Sequence, residues 1–322
     1  MFLLSWLGRR ATAALAGGAL LGLALPWLAD VFRSALPQIV FVFIVASFLN
    51  IDGSTMRQAW RVPLVPCAVL AWCMIGLPIM LAAALNLIPM EAGLRQALLI
   101  WGVSPPMTAA IVFAILLRLD VSLATGVALT SVLVVPFTAP VLVLYLTDVN
   151  LAVESIDLFV RVALFVSVAL LVAAAIRRAI GSAYIAAHGD ALNGLVILTL
   201  IAYAAALTSG IGAEFLASPK RVLLYLAASA GVNVIAQAGT AALFSSLGRH
   251  TGMTAALLAG NRNMSVLCAN LGPAFTPDIV LFFAISHIPI YTLPWLLRGL
   301  YARIAASRGH AASSIPHSRI AR

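Results

Sequence analysis

Charge is scarce in this chain of 322 residues. Charged types make up 9% of it and hydrophobic types 63%, where a soluble domain carries about 25% charged and about 45–50% apolar residues. With 19 basic and 10 acidic side chains, a compact soluble fold of this size could not solvate its surface. The same shortage excludes disorder and a coiled coil. Cysteine is scarce as well, which excludes a disulfide-stapled secreted module. Cys67, Cys73 and Cys268 all fall inside apolar runs without metal-ligand spacing, and read as packing residues. Enzyme signatures are missing: there is no HExxH, no nucleotide-binding loop and no Ser–His–Asp set with a buried acid. An intramembrane protease would need paired Asp, a Ser–His dyad or a zinc motif at depth, and support for each is poor. The chain therefore reads as a non-enzyme without a cofactor. A channel would need a filter repeated by oligomerisation, which the internal repeat described below disfavours.

What is abundant is apolar sequence. The mean hydropathy of +1.09 points to a polytopic membrane protein. In lipid only helices and closed barrels satisfy their backbone groups. Barrel strands alternate polar and apolar residues, whereas 141–146 and 97–103 do not, so the expected class is all-α. The formal charge of +9 would suggest nucleic acid in a soluble protein. Here the basic residues are spread thinly between apolar runs and read as loop anchors at the membrane surface.

Charge-free runs cover 11–29, 34–51, 62–90, 96–117, 121–147, 162–176, 191–213, 222–248 and 279–297, and 250–277 is interrupted only by Arg262. A spanning helix needs about 20 apolar residues, so ten spans are expected. With the N-terminus placed in the cytoplasm, 13 basic residues fall inside, 5 outside and Arg262 within the membrane, and seven of the ten acids fall outside. This asymmetry follows the positive-inside rule and puts both termini in the cytoplasm of an inner-membrane protein. The organisation reads as a cytoplasmic N-terminus over 1–10, five-span halves over 11–150 and 151–300, and a basic cytoplasmic tail over 301–322. The tail from 307 is small, polar and expected to be disordered. Pro26-Trp27-Leu28 makes a poor signal-peptide cleavage site, so 11–29 reads as the first span.

Five spans per half give the halves opposite orientation, and they look related at an offset of about 158–160 residues. Their most irregular spans correspond: a shift of 157 places Met107 on Met264 and Thr108 on Ser265. Pro105 and Pro106 cannot continue an α-helix, because they remove two donors and push the preceding residue out of the helical region. Gly260-Asn261-Arg262-Asn263 is equally poor helix material. Spans four and nine are therefore expected to break near mid-membrane. Irregular backbone at that depth is tolerated only where protein or a water-filled cavity surrounds it, and paired broken helices point to a secondary transporter's binding site.

Arg262 is the most informative side chain. An arginine at the bilayer centre costs about 2.5–3.5 kcal/mol on insertion scales, and no Asp or Glu lies within an assigned span to pair with it. Two readings stay open. It caps carbonyls at the C-terminal ends of the half-helices, where the dipole is negative, or it contacts a substrate anion or replaces a coupling cation. Asn261, Asn263 and Asn270 flank it. Thr108 and Ser265 begin the second half-helices, where free N–H groups favour anions. Asn233 and Gln237, one turn apart on span eight, are placed to hydrogen-bond a crossing helix. His287 and Tyr291 are one turn apart on span ten, and His287 reads as an interhelical hydrogen bond or a substrate contact. Thr130 and Ser131 can back-bond to their own helix.

The broken span four, the loop Leu117-Arg118-Leu119-Asp120, the segment Pro136-Phe137-Thr138-Ala139-Pro140, the run Gly260-Asn261-Arg262-Asn263 and His287 together resemble the bile acid:sodium symporter family, over about residues 11–300. The resemblance implies ten spans in two five-span inverted repeats. Spans one, two, six and seven would form a panel, and the remaining six a core in which spans four and nine cross. It implies transport of an organic anion, a carboxylate or bile-acid-like molecule, by alternating access. Substrate contacts would be Thr108, Asn261, Arg262, Asn263, Ser265 and His287, with the breaks at Pro105, Pro106 and Gly260. The sequence departs from the family where sodium binds. Ala110 and Ile111 stand in place of a Ser-Asn pair, Leu258 in place of a Glu and Arg262 in place of a Gln. Ser131 keeps one hydroxyl, so Ser131 and Arg262 are the remaining ion-coupling candidates. Hard cations want several oxygen ligands, and such a site should bind sodium poorly. The alternative from another class is a membrane sensor or scaffold that keeps the fold without transporting.

Overall fold

Proline placement and apolar run length shape the helices of this all-α membrane protein. A computed structural model describes residues 24–49, 53–146, 155–208, 210–270 and 276–306. The expected N-terminus over 1–10, most of the span 11–29, the junction at 150–151 and the tail from 307 lie outside the described residues. Among the described residues there is no strand, only one isolated antiparallel bridge.

The first helices are α1 (Pro26–Ser34) and α2 (Leu36–Leu49), joined by a bend of 69°. Pro26 opens α1, where its missing N–H costs nothing. A short α3 (Gly53–Ala59) leads to α4 (Leu64–Ala71), a π turn (Trp72–Gly76) and α5 (Leu77–Leu85), which form one apolar unit over Leu64–Leu85. Then come α6 (Ala92–Val103) and α7 (Ala110–Leu116), separated by the two prolines, and the long α8 (Val121–Leu146). Asp120 caps α8 by accepting the Leu123 N–H at 2.9 Å.

The second half contains α9 (Ser155–Ile180), α10 (Ser182–Ala187), α11 (Gly189–Leu207), α12 (Ile211–Ala217) and α13 (Pro219–Leu243). A single 3₁₀ turn follows. Next are α14 (Arg249–Gly260), the one-turn α15 (Ser265–Cys268), α16 (Pro277–Leu296) and α17 (Arg298–Ala306). Residues 301–306, read as the start of the tail, therefore belong to a helix, and Tyr301 in it is buried.

Among the described residues, six helices are long and apolar enough to cross a membrane, seven if the bent pair α1–α2 is one span. The chain is a multi-pass membrane protein. Of the ten expected spans, four and nine are each split into short helices, and the first lies largely outside the described residues.

Two sets of packed helices can be traced, joined where α8 lies along α9. In one, α2 lies against α9 and α11, and α1 against α11. Arg177 of α9 ties this group by donating to the Phe48 and Leu49 carbonyls, at 3.2 and 2.8 Å, at the C-terminus of α2. In the other, α13 packs on α14 and α16, and α6 packs on α5, α8 and α16. Trp101, Tyr225, Phe282 and Leu257 fill this second group.

Candidate functional site

The two breaks meet. Met107 N–H donates to the Asn261 carbonyl and Asn263 N–H to the Pro105 carbonyl, both at 2.8 Å. This makes an antiparallel bridge of Pro106 with Arg262. Each broken backbone thus satisfies the other, which is how irregular chain is tolerated away from water.

Arg262 is fully buried, and its guanidinium gathers carbonyls from three places in the fold. Nε donates to Ala259 at 2.9 Å, and Nη1 to Cys73 at 2.8 Å and to Ser104 at 2.9 Å. The Trp101 ring lies 5.8 Å from the guanidinium carbon, within cation–π range.

The lost helical partner of each carbonyl can be traced. The Ala259 carbonyl would accept the Asn263 N–H, but that donor crosses to Pro105. The Ser104 carbonyl stands at the C-terminal end of α6, where the prolines stop the helix. The Cys73 carbonyl would take the Leu77 N–H in an α-helix, or the N–H of residue 78 in a π turn. Leu77 donates instead to Trp72, and residue 78 is proline and has none to give. Two of these acceptors, Ser104 and Ala259, stand at the negative C-terminal ends of helices, the third is in the π turn, and one cation answers all three. Among the described residues no Asp or Glu is buried, so Arg262 is balanced by dipoles alone. Its Nη2 finds no partner.

Beyond the bridge, Thr108, Asn263 and Ser265 line the seam between the two helix groups. Ser265 donates both its N–H, at 3.2 Å, and its hydroxyl to Asn263 Oδ1. The Asn263 amide NH2 is thereby turned the other way and stays unpaired. Asn263 lines two small cavities of about 10 Å³ each, one shared with Thr108, Phe43 and Ser47, the other with Tyr203, Val40 and Ser265. Each is about the size of one water. The hydroxyls of Thr108 and Tyr203 are also unpaired. Unpaired buried groups are costly, and these are all hydrogen-bond donors in a place without a carboxylate.

His287 donates Nδ1–H to the Phe283 carbonyl of its own helix at 2.7 Å. That carbonyl can only accept, so Nδ1 carries the proton, and His287 does not form the interhelical hydrogen bond expected of it through this nitrogen. Its ring instead joins an aromatic box with Tyr203, Phe283 and Tyr291, at 5.2, 5.2 and 5.7 Å between centroids. Next to Phe283 lies a cavity of about 350 Å³ between the two helix groups, lined by Leu36, Pro37, Leu207, Cys268 and Val280, with Arg33 at its rim.

Several other expected residues look inward to their own helices. Ser131 donates to the Ala128 carbonyl at 2.7 Å, and Asn270 to Val266 at 2.7 Å. Asn261 donates to Leu257 at 2.7 Å and leaves its Oδ1 unpaired, but lines neither small cavity. Ala110 and Leu258 are buried and apolar. Asn233 does reach across, donating to the Gly260 carbonyl at 2.6 Å. Gly260 permits this approach, since a Cβ there would come within 2.5 Å of Gln237 Cγ and 2.9 Å of Asn233 Oδ1.

The sequence reading missed Tyr203, Trp101 and the Cys73 carbonyl. Tyr203 and Trp101 sit in unpatterned apolar runs and gave no signal. Cys73 had one in Pro78, which orphans a carbonyl upstream. No family model matches the chain, and no curated protein matches it.

Proposed function

We propose that the protein is a secondary carrier of a small organic anion, working by alternating access, with the fold of the bile acid:sodium symporter family and ten spans in two inverted repeats. The observation that carries this reading is the pair of broken helices bridged at the seam between two helix groups. Donors from Thr108, Asn263 and Tyr203 are left there without partners. A site of spare donors without an acid suits a ligand that brings acceptors, such as a carboxylate. The group α1, α2, α9 and α11 would move against the rest, exposing the seam first on one side and then on the other. The water-sized gaps around Asn263 fit a closed arrangement, and the cavity of about 350 Å³ fits the approach from the Arg33 side.

Arg262 contributes a permanent positive charge and holds the crossing together. It does so where a carrier of this kind would otherwise recruit a coupling cation, so transport needs no sodium. Both termini lie in the cytoplasm and the membrane is the inner one. The test is counterflow in proteoliposomes against a panel of short carboxylates, preceded by thermal-shift screening of the purified protein. At least one carboxylate is expected to stabilise the protein and to exchange with saturation. A carboxylate that stabilises it without any flux would favour the sensor, and current without saturation would favour a channel.

A further inference from the structure

The helix α17 follows the last long helix and packs on α14 and α16. Its Tyr301 is 2% exposed, and its hydroxyl donates to Gln237 Oε1 at 2.8 Å. Gln237 Nε2 donates to Asn233 Oδ1, and Asn233 Nδ2 to the Gly260 carbonyl. Asn233 and Gln237 are both buried, so no solvent competes for these bonds.

The direction of this chain is fixed from one end. A backbone carbonyl can only accept, so Asn233 must present its NH2 to Gly260 and its oxygen to Gln237. Gln237 must then present its NH2 to Asn233 and its oxygen to Tyr301, whose hydroxyl is obliged to donate. No member can flip without breaking its neighbours. The Gly260 carbonyl at the end is the last of α14, and the next residues form the bridge with Pro105 and Met107.

We infer that Tyr301 is a positioning residue for the broken span: through Gln237 and Asn233, α17 sets where Gly260 lies and hence the register of the bridge. A displacement of α17 at one face of the protein would then reach the crossing of the broken helices. This inference is independent of what the protein carries.

The test is hydrogen–deuterium exchange of the full chain in lipid nanodiscs. The variants are Tyr301→Phe, Gln237→Met and the two combined. Loss of one net hydrogen bond should speed exchange of the Met107 and Asn263 amides by about tenfold. The combined variant should match the single ones, since any one broken link uncouples the rest. Exchange in α2 and α9 should not change. Unchanged exchange at the bridge in the single variants, an equal rise in α2 and α9, or factors that multiply in the combined variant would each overturn the inference and leave Tyr301 a packing residue.

Discussion

Replacing Arg262 by methionine keeps the apolar stem and removes the charge and its donors. Three buried carbonyls, those of Cys73, Ser104 and Ala259, then lose their partner. A hydrogen bond to a charged group contributes about 1.5–3 kcal/mol, so the sum reaches about 4–9 kcal/mol before relaxation. Removing the guanidinium also ends the burial of a charge, which offsets about 2.5–3.5 kcal/mol on insertion scales. The net loss expected is therefore about 0.5–6.5 kcal/mol, seen as a lower unfolding temperature of the purified protein without any ligand. Arg262→Ala leaves a larger space, and millimolar methylguanidinium should recover part of the loss by refilling it. The parent protein should gain nothing from methylguanidinium. An Arg262→Met variant as stable as the parent, with only its carboxylate response gone, would refute the pinning argument and make Arg262 a plain substrate contact.

Other positions give separate outcomes. Arg118 holds φ at 55°, a region that costs a non-glycine residue about 1–2 kcal/mol, so Arg118→Gly should raise the thermal midpoint and Arg118→Val lower it. Gly260→Ala places a Cβ against Gln237 and Asn233, and overpacking of about 1–3 kcal/mol should lower the thermal midpoint. Thr108→Val removes a buried unpaired hydroxyl. It should leave the unliganded protein as stable or more so, while weakening carboxylate stabilisation about tenfold, the worth of one hydrogen bond, in a thermal-shift titration.

The breaks were legible because their causes are local. Two prolines in a row, and a glycine followed by three polar residues, cannot continue a helix wherever they fall. Asn233 was legible too, being an amide on an apolar helix with few other uses. Arg262 was visible as an anomaly, and capping of carbonyls at the half-helix ends, as at Ala259 and Ser104, was one of its two readings, but the third carbonyl was not legible. Cys73 lies 189 residues away in sequence, and its carbonyl is free only through the joint effect of Pro78 and the diverted Leu77 N–H. Tyr301 escaped notice because it stands where the chain turns polar and basic, although the helix continues to Ala306. His287 was singled out as a polar group, but the fold uses it mainly as a ring among rings. The wider lesson concerns donors and acceptors of the main chain. Side-chain patterns do not record them, and at a helix break they decide the chemistry.

The carrier proposed above has its positive charge built in. It is tested most directly with the carboxylate that stabilises the purified protein most, labelled and taken up into proteoliposomes at clamped potential, in sodium and in choline. Two unit charges about 4 Å apart repel by about 4 kcal/mol at an effective dielectric of 20, so sodium beside Arg262 would bind about a thousandfold more weakly than without it. Uptake is predicted to saturate with carboxylate and to be the same in both salts. Absence of uptake in either salt, or uptake that rises steeply with sodium, would contradict the account.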